Sequence, residues 1–327
     1  MRGYFRNGSF AEKFLPAWCA GLSRRLAILL GLTLITGPAF ALVGPARLAP
    51  DFAPYAVMVL NSSDESFCTA SVITLDVVLT AAHCISGLPE TRVLFRGGEG
   101  KLIFLAAAWI AWILASVLLT LLVIRFGRVR TRAGIQAGLS LVLFGSALAY
   151  FLWSGIAERL VFFDVAAVAV NPGYRPGAGQ DAVSIDLALV RLGKPLPSSF
   201  EPVELQPNFP VEIGQPLRIV GFGHADEEER GTSGILRTAV LAVSGPKSPV
   251  FVRLTDPEGA GLGGCTGDSG APLFVVGQPA LVAVAIRAKG KNGYSCGAMT
   301  EAVLTGPQLP WIHKILQAWG AMGSVAP

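Results

Sequence analysis

Three textures of apolar and polar residues divide this chain. The first is a set of short runs rich in valine, threonine and leucine, bounded by glycine, proline, asparagine and serine: Pro54–Leu60, Cys68–Leu79, Thr91–Phe95, Val161–Val170, Leu187–Leu192, Leu217–Gly221 and Val250–Leu254. Runs of that kind predict strands separated by turns. The second texture is apolar without interruption. Residues 102–124 hold 23 positions with no charge, and Ile135–Ile156 repeats the pattern after Arg125, Arg128, Arg130 and Arg132. About 20 apolar residues cross a bilayer as a helix. Two such runs around a short arginine-rich loop predict a transmembrane hairpin over residues 102–157. The third texture appears once, near the end. Trp311, Ile312, Ile315, Leu316 and Trp319 recur at helical spacing and predict an amphipathic helix over Pro310–Trp319.

The first 41 residues follow a different grammar. Arg24 and Arg25 precede the apolar run Leu26–Ile35, and Gly37-Pro38 leads to Ala39-Phe40-Ala41. Charge, a short apolar core and a small-x-small triplet describe a signal peptide, cut after Ala41 by signal peptidase. The same grammar also fits an anchor that stays uncut. Arginine-rich short loops remain cytoplasmic, so residues 125–134 belong inside and both outer ends of the hairpin outside. Export by the signal places the rest of the chain on that same outer side. The expected location is therefore a cell membrane of the bacterial inner-membrane type. The lipid bilayer is engaged through residues 102–157, and the body faces the periplasm or extracellular space.

Composition sharpens this picture. The charged fraction is 15%, against roughly 25% in ordinary soluble domains, and the leader and hairpin are among the stretches poorest in charge. The net charge of +4 also resides in the leader, which carries five basic side chains and one acid; the rest of the chain holds 21 of each. The parts expected outside the membrane carry 17 basic and 21 acidic residues. Nothing there suits nucleic acid. Cys19 precedes the first apolar run, leaving Cys68, Cys84, Cys265 and Cys296, an even set suited to an oxidising compartment and open to three pairings. No metal-ligand spacing or phosphate loop occurs, and Gly221-Phe222-Gly223 lacks the third glycine of a nucleotide fingerprint. No metal or cofactor is expected.

The candidate chemistry sits in Gly264-Cys265-Thr266-Gly267-Asp268-Ser269-Gly270-Ala271-Pro272. Glycines crowding one serine predict a tight loop that presents Oγ and turns backbone N–H groups toward one point. A serine needs a base, and the chain has three histidines. His83 follows an apolar run, His224 lies in a loop before acidic residues, and His313 lies in the helical pattern. A base needs an orienting carboxylate, and Asp186 opens Asp186-Leu187-Ala188-Leu189-Val190-Arg191-Leu192. Asp181 is a rival, but only Asp186 has the apolar strand behind it.

LTAAHC, DLALVRL and GCTGDSGAP, in the order His, Asp, Ser, resemble the three signatures of the chymotrypsin/trypsin family of serine proteases. The resemblance spans roughly residues 42–101 and 158–319. It implies a mostly β, two-barrel fold with a C-terminal helix, here carrying an inserted transmembrane α-hairpin. The implied division is a signal peptide at 1–41 and the first barrel at 42–101 and 158–205, interrupted by the hairpin at 102–157. The second barrel and terminal helix take 206–327, with Pro195–Pro210 as an exposed linker. The hairpin would occupy a loop that binds calcium in some relatives, so no calcium site is expected.

The resemblance also implies roles. Ser269 is the nucleophile, His83 the base and then acid, and Asp186 the residue that holds the imidazole tautomer. The N–H groups of Gly267 and Ser269 form the oxyanion hole. The implied disulfides are Cys68–Cys84 and Cys265–Cys296. A newly cut N-terminus at Leu42 would pair its ammonium with Asp268. The specificity pocket would involve Gly263, where trypsin-like relatives carry an aspartate, together with Ile286, Arg287 and Ala288. Arg287 stands where a large aromatic is usual, and Ala288 where glycine is usual. Arg287, Lys289 and Lys291 would favour an acidic substrate or act as solvated loop charges. The implied activity is endopeptidase action on proteins or peptides outside the cytoplasm. The alternative is an inactive, membrane-anchored binding module.

Overall fold

Fourteen strands, three short 3₁₀ helices and a C-terminal α-helix make up the named elements of the described residues. The strands are β1 (Arg47–Leu48), β2 (Ala56–Asn61), β3 (Ser66–Thr74), β4 (Val77–Thr80), β5 (Thr91–Arg96), β6 (Leu160–Val170) and β7 (Ala188–Leu192). They continue with β8 (Glu204–Leu205), β9 (Pro216–Gly221), β10 (Arg237–Ser244), β11 (Phe251–Thr255), β12 (Pro272–Val275), β13 (Ala280–Lys289) and β14 (Met299–Leu304). Helix α1 covers Leu309–Ala318. This computed structural model describes residues 42–63, 65–96, 160–177, 183–229, 231–245 and 248–321, and the single positions 110, 112, 145, 146 and 150. All of them fall in one unit, Phe40–Pro327. The signal peptide, Asp181 and all but those five positions of the hairpin lie outside the described residues. Among the described residues no helix is long and apolar enough to cross a membrane.

The first six long strands close a barrel in the order β2-β3-β4-β7-β6-β5. The second barrel runs β9-β10-β11-β14-β13-β12 and closes because β12 pairs back to β9. The Cys68–Leu79 run is two strands, with a turn at Leu75-Asp76, and β3 is buried almost throughout rather than on alternate positions. Barrel interior lies on one side of it and the serine loop on the other, so both faces exclude water.

Two further departures from expectation have physical causes. The segment Pro195–Pro210 is not an exposed linker throughout, because Leu196, Phe200 and Val203 are buried in the core. Their prolines set turns while the intervening side chains pack inward. The terminal helix forms as expected, starting one residue earlier at Leu309 and carrying Pro310 in its first turn, where the missing N–H costs nothing. It buries Ile312 and Leu316 completely, each burial stabilising by roughly 1.5–3 kcal/mol. It stops at Gly320, whose positive φ of 69° lets the Ala321 N–H return to the Leu316 carbonyl.

The predicted insertion departs and returns at one point. Strands β5 and β6 pair antiparallel with Arg96 opposite Leu160. The two ends of the intervening segment are thus cross-strand neighbours, about 5 Å apart at Cα. A chain leaving there and returning there leaves the barrel pairing intact.

Candidate functional site

His83 sits in a single 3₁₀ turn, Ala82–Cys84, directly after β4. Asp186 precedes β7, which pairs with β4 from Val77↔Arg191 to Thr80↔Ala188. Strand pairing therefore delivers the two residues to the same end of the first barrel. The Asp186 carboxylate accepts two bonds from one residue: the His83 backbone N–H donates to Oδ1 at 2.9 Å, and Nδ1 meets Oδ2 at 2.7 Å. An Nδ1–H held by a carboxylate leaves the Nε2 lone pair free, which is the tautomer a base requires. Burial and the nearby Asp186 charge both raise the Tyr174 phenol above its usual range, so the phenol beside the carboxylate stays neutral.

Ser269 reaches the same place through the second barrel. The Thr69 N–H donates to the Ser269 carbonyl at 2.8 Å, and Cys84 Sγ stands 4.0 Å from that oxygen. The disulfide Cys68–Cys84 ties β3 to the histidine turn at this point. Gly270 has φ +83°, and a Cβ there would strike the Thr69 carbonyl and Thr80 Oγ1. Only glycine lets the backbone after the serine approach the histidine-bearing strands this closely. Cys68, Cys84 and His83 bring ligand-type atoms within 4.8 Å of one another, but both sulfurs are joined in the disulfide, so this is no metal centre.

The loop before the serine is fixed from three sides. Gly267 has φ +95°, and a Cβ on it would meet the Phe67 ring and the Gly223 backbone. Thr69, fully buried, donates its hydroxyl to the Gly267 carbonyl at 2.9 Å and accepts from the Phe222 N–H at 3.1 Å. With its carbonyl so held, the Gly267 peptide cannot turn over, which fixes the direction of its neighbouring N–H groups. The second disulfide, Cys265–Cys296, binds the loop to the segment before β14.

Asp268 lies beneath this loop at 2% exposure. Its Oδ1 accepts from the Gly223 N–H at 2.8 Å and its Oδ2 from the Cys265 N–H at 2.9 Å. Burial pushes its carboxyl up to about 7, against the pull of those two N–H groups. A Cβ on Gly221 or Gly223 would collide with this carboxylate, which explains the Gly-Phe-Gly sequence. Leu42 is fully buried at φ +61°, and Val43 pairs with Gly263, so the start of the body threads beside the serine loop. Here Leu42 still follows Ala41 and carries a peptide nitrogen rather than an ammonium.

The pocket residues divide. A Cβ on Gly263 would stand 3.1 Å from the Gly297 backbone, so glycine serves close packing there. Ile286 is buried, and Ala288 faces Gly264. Thr300 Oγ1 accepts from the Gly264 N–H at 2.9 Å. Arg287 pairs with Glu301. Beyond Ala285, β13 keeps β14 on one edge, while its pairing with β12 stops at Val284. That second edge offers backbone groups to an extended peptide.

Thr69, Thr300 and Glu301 carry no signature in the sequence, because their partners lie elsewhere in the chain: Gly267 for Thr69, Gly264 for Thr300, and Arg253 and Arg287 for Glu301.

Comparison with known proteins follows the same outline. A family model described as Trypsin matches residues 43–102 and 157–309, leaving 103–156 unmatched. A mutant of human heparin binding protein (CAP37) aligns at 20% identity and TM-score 0.55, covering 84% of this chain and 97% of that one. Neuropsin, a serine protease expressed in the limbic system of mouse brain, aligns at 18% identity and TM-score 0.54, covering 83% and 99%. At these identities the structural likeness establishes the two-barrel fold. No curated protein matches the chain in sequence.

Proposed function

The chain belongs to the trypsin family and is a serine endopeptidase, and from that premise we propose a membrane-tethered enzyme that cuts extracytoplasmic proteins through His83, Asp186 and Ser269. The observation that carries the triad is the two-point grip of Asp186 on His83 beside the Ser269 loop. His83 Nε2 takes the Ser269 Oγ proton as Oγ attacks the scissile carbonyl. The resulting oxyanion is met by the N–H groups of Gly267 and Ser269. The imidazolium, stabilised by Asp186, then protonates the leaving amine, and water releases the acyl group by the reverse sequence.

The tether is the hairpin at 102–157. Supporting it are the charge-free runs, the unmatched interval 103–156 and the neighbouring ends at Arg96 and Leu160. Trp112 and Gly145 are both helical, and the indole fills the place of a side chain on Gly145. The body faces the periplasm or extracellular space, and signal peptidase cuts after Ala41, freeing Leu42 to pair with Asp268.

Ser269→Ala should abolish hydrolysis of a casein-type substrate while leaving expression unchanged. Wild-type cleavage by that variant overturns the reading. A topology reporter placed within residues 126–132 should report cytoplasm and one at Gly98 the outside; both on one side overturns the tether.

A further inference from the structure

A cleft of 250 Å³ opens beside His83, walled by Tyr174, Arg175, Phe251, Arg287 and Glu301. Its charge is unbalanced. Glu301, at 4% exposure, receives Arg253 Nε on Oε2 at 2.8 Å, and Arg287 Nη1 stands 3.6 Å from Oε1. One carboxylate between two guanidiniums leaves one positive charge over. Arg253 holds the shorter bond, so the surplus falls on Arg287, the guanidinium that lines the cleft. On the other wall Arg175 is exposed, and no carboxylate among the described residues lies within ion-pair distance of it. The remaining carboxylate of the cleft, Asp186, is engaged by His83.

Arg287 is therefore not a solvated loop charge. Glu301 tethers its head at the cleft, which lowers the entropy lost when a ligand engages it. Lys289 and Lys291 have different surroundings. Lys289 is exposed at the end of β13, and Lys291 lines a separate cavity with Asp226, Glu227 and Asp256.

The direction of the open edge says which part of a substrate arrives here. The Gly270 N–H donates to the Ala285 carbonyl at 2.6 Å, placing the nucleophile at the Ala285–Ile286 end of the edge. A peptide antiparallel to β13 runs toward its own N-terminus as β13 runs toward Lys289. Arg287 consequently meets residues that precede the scissile bond.

We infer that the cleft between Arg175 and Arg287 is a subsite for an aspartate or glutamate side chain two to four residues before the bond that is cut. The inference rests on the protease reading above and names the substrate class of that same site. A guanidinium presents paired donors that match a carboxylate, and bonds between charged partners are the stronger kind.

The test uses the full-length chain in detergent micelles and a peptide library randomised on both sides of the cut. Aspartate and glutamate should be enriched at one position within that window. Paired peptides differing only by Asp or Asn there should differ about tenfold in kcat/KM. Arg287→Gln should bring that ratio toward one. Because this change also removes a partner from buried Glu301, the exposed Arg175→Glu provides a second reading and should lower the same ratio. Equal rates on the Asp and Asn peptides with the wild-type chain overturn the inference. A chain that takes an active-site phosphonate yet cuts without regard to acid overturns this inference alone. A folded chain that neither takes phosphonate nor cuts any peptide overturns the protease reading and this inference with it.

Discussion

The two halves of the site are built on opposite principles. The histidine half is made of charge: one carboxylate grips one imidazole by two bonds, and paired strands hold both. The serine half is made of space: Gly221, Gly223, Gly267 and Gly270 each remove a side chain that would collide with a neighbour. The first half is complete as soon as its barrel closes. The second encloses Asp268, a buried carboxyl held by two backbone N–H groups with no cation against it among the described residues. The uncompensated group therefore lies in the second half, and the proposed cut before Leu42 would act there.

The largest effect comes from breaking the finished half. Asp186→Asn removes the acceptor that selects the imidazole tautomer, and kcat should fall about 10⁴-fold, the loss characteristic of this family. Glutamine or alanine at exposed Glu204 should change little by comparison. If Asp186→Asn keeps wild-type kcat, His83 is not held for catalysis by this carboxylate.

A chain whose leader cannot be cut tests the strained half. Replacing Ala39 and Ala41 by large residues keeps Leu42 in a peptide bond and withholds the ammonium. A buried charge left without its partner costs about 3–5 kcal/mol, so activity should fall by roughly a hundredfold or more at pH 8. Full activity with an intact leader, verified by N-terminal sequencing, contradicts the pairing of Leu42 with Asp268.

The same uncut chain makes a smaller prediction about stability. Folded, Asp268 keeps its proton up to about pH 7; unfolded, only to about 4. The folded state thus binds the extra proton between those values, and stability rises as pH falls through that window. The uncut chain should melt at a higher temperature at pH 5 than at pH 8, and Asp268→Asn should lose that difference. On the proposed pairing the ammonium of the cut chain keeps the carboxylate charged, so that chain should not gain on acidification. A melting temperature independent of pH in the uncut chain contradicts the buried, partner-poor carboxyl.

The contrast between the halves also separates what the sequence made legible from what it did not. His83, Asp186 and Ser269 lie in local motifs, and both disulfides follow the implied pairings. The strands around them carry clear apolar runs. Thr69 shows no such mark, because its role depends on Gly267, 198 positions away in the chain. Arg287 looked like one of three surface cations until β13 and β14 set it opposite Glu301. Pro195–Pro210 reads as linker because of its prolines, yet Leu196, Phe200 and Val203 within it are buried, which is decided by the barrel they pack against. Pairings across the chain, not residue types, made the difference in each case.

The central claim is that Ser269 is an activated nucleophile. A fluorophosphonate forms a stable adduct only where nucleophile, base and oxyanion donors are assembled together. Incubating the purified full-length protein with such a probe, then mapping the modified peptide by mass spectrometry, should place the adduct on Ser269, with none on Ser269→Ala. A folded, leader-cut chain that carries no adduct on Ser269 would contradict the account.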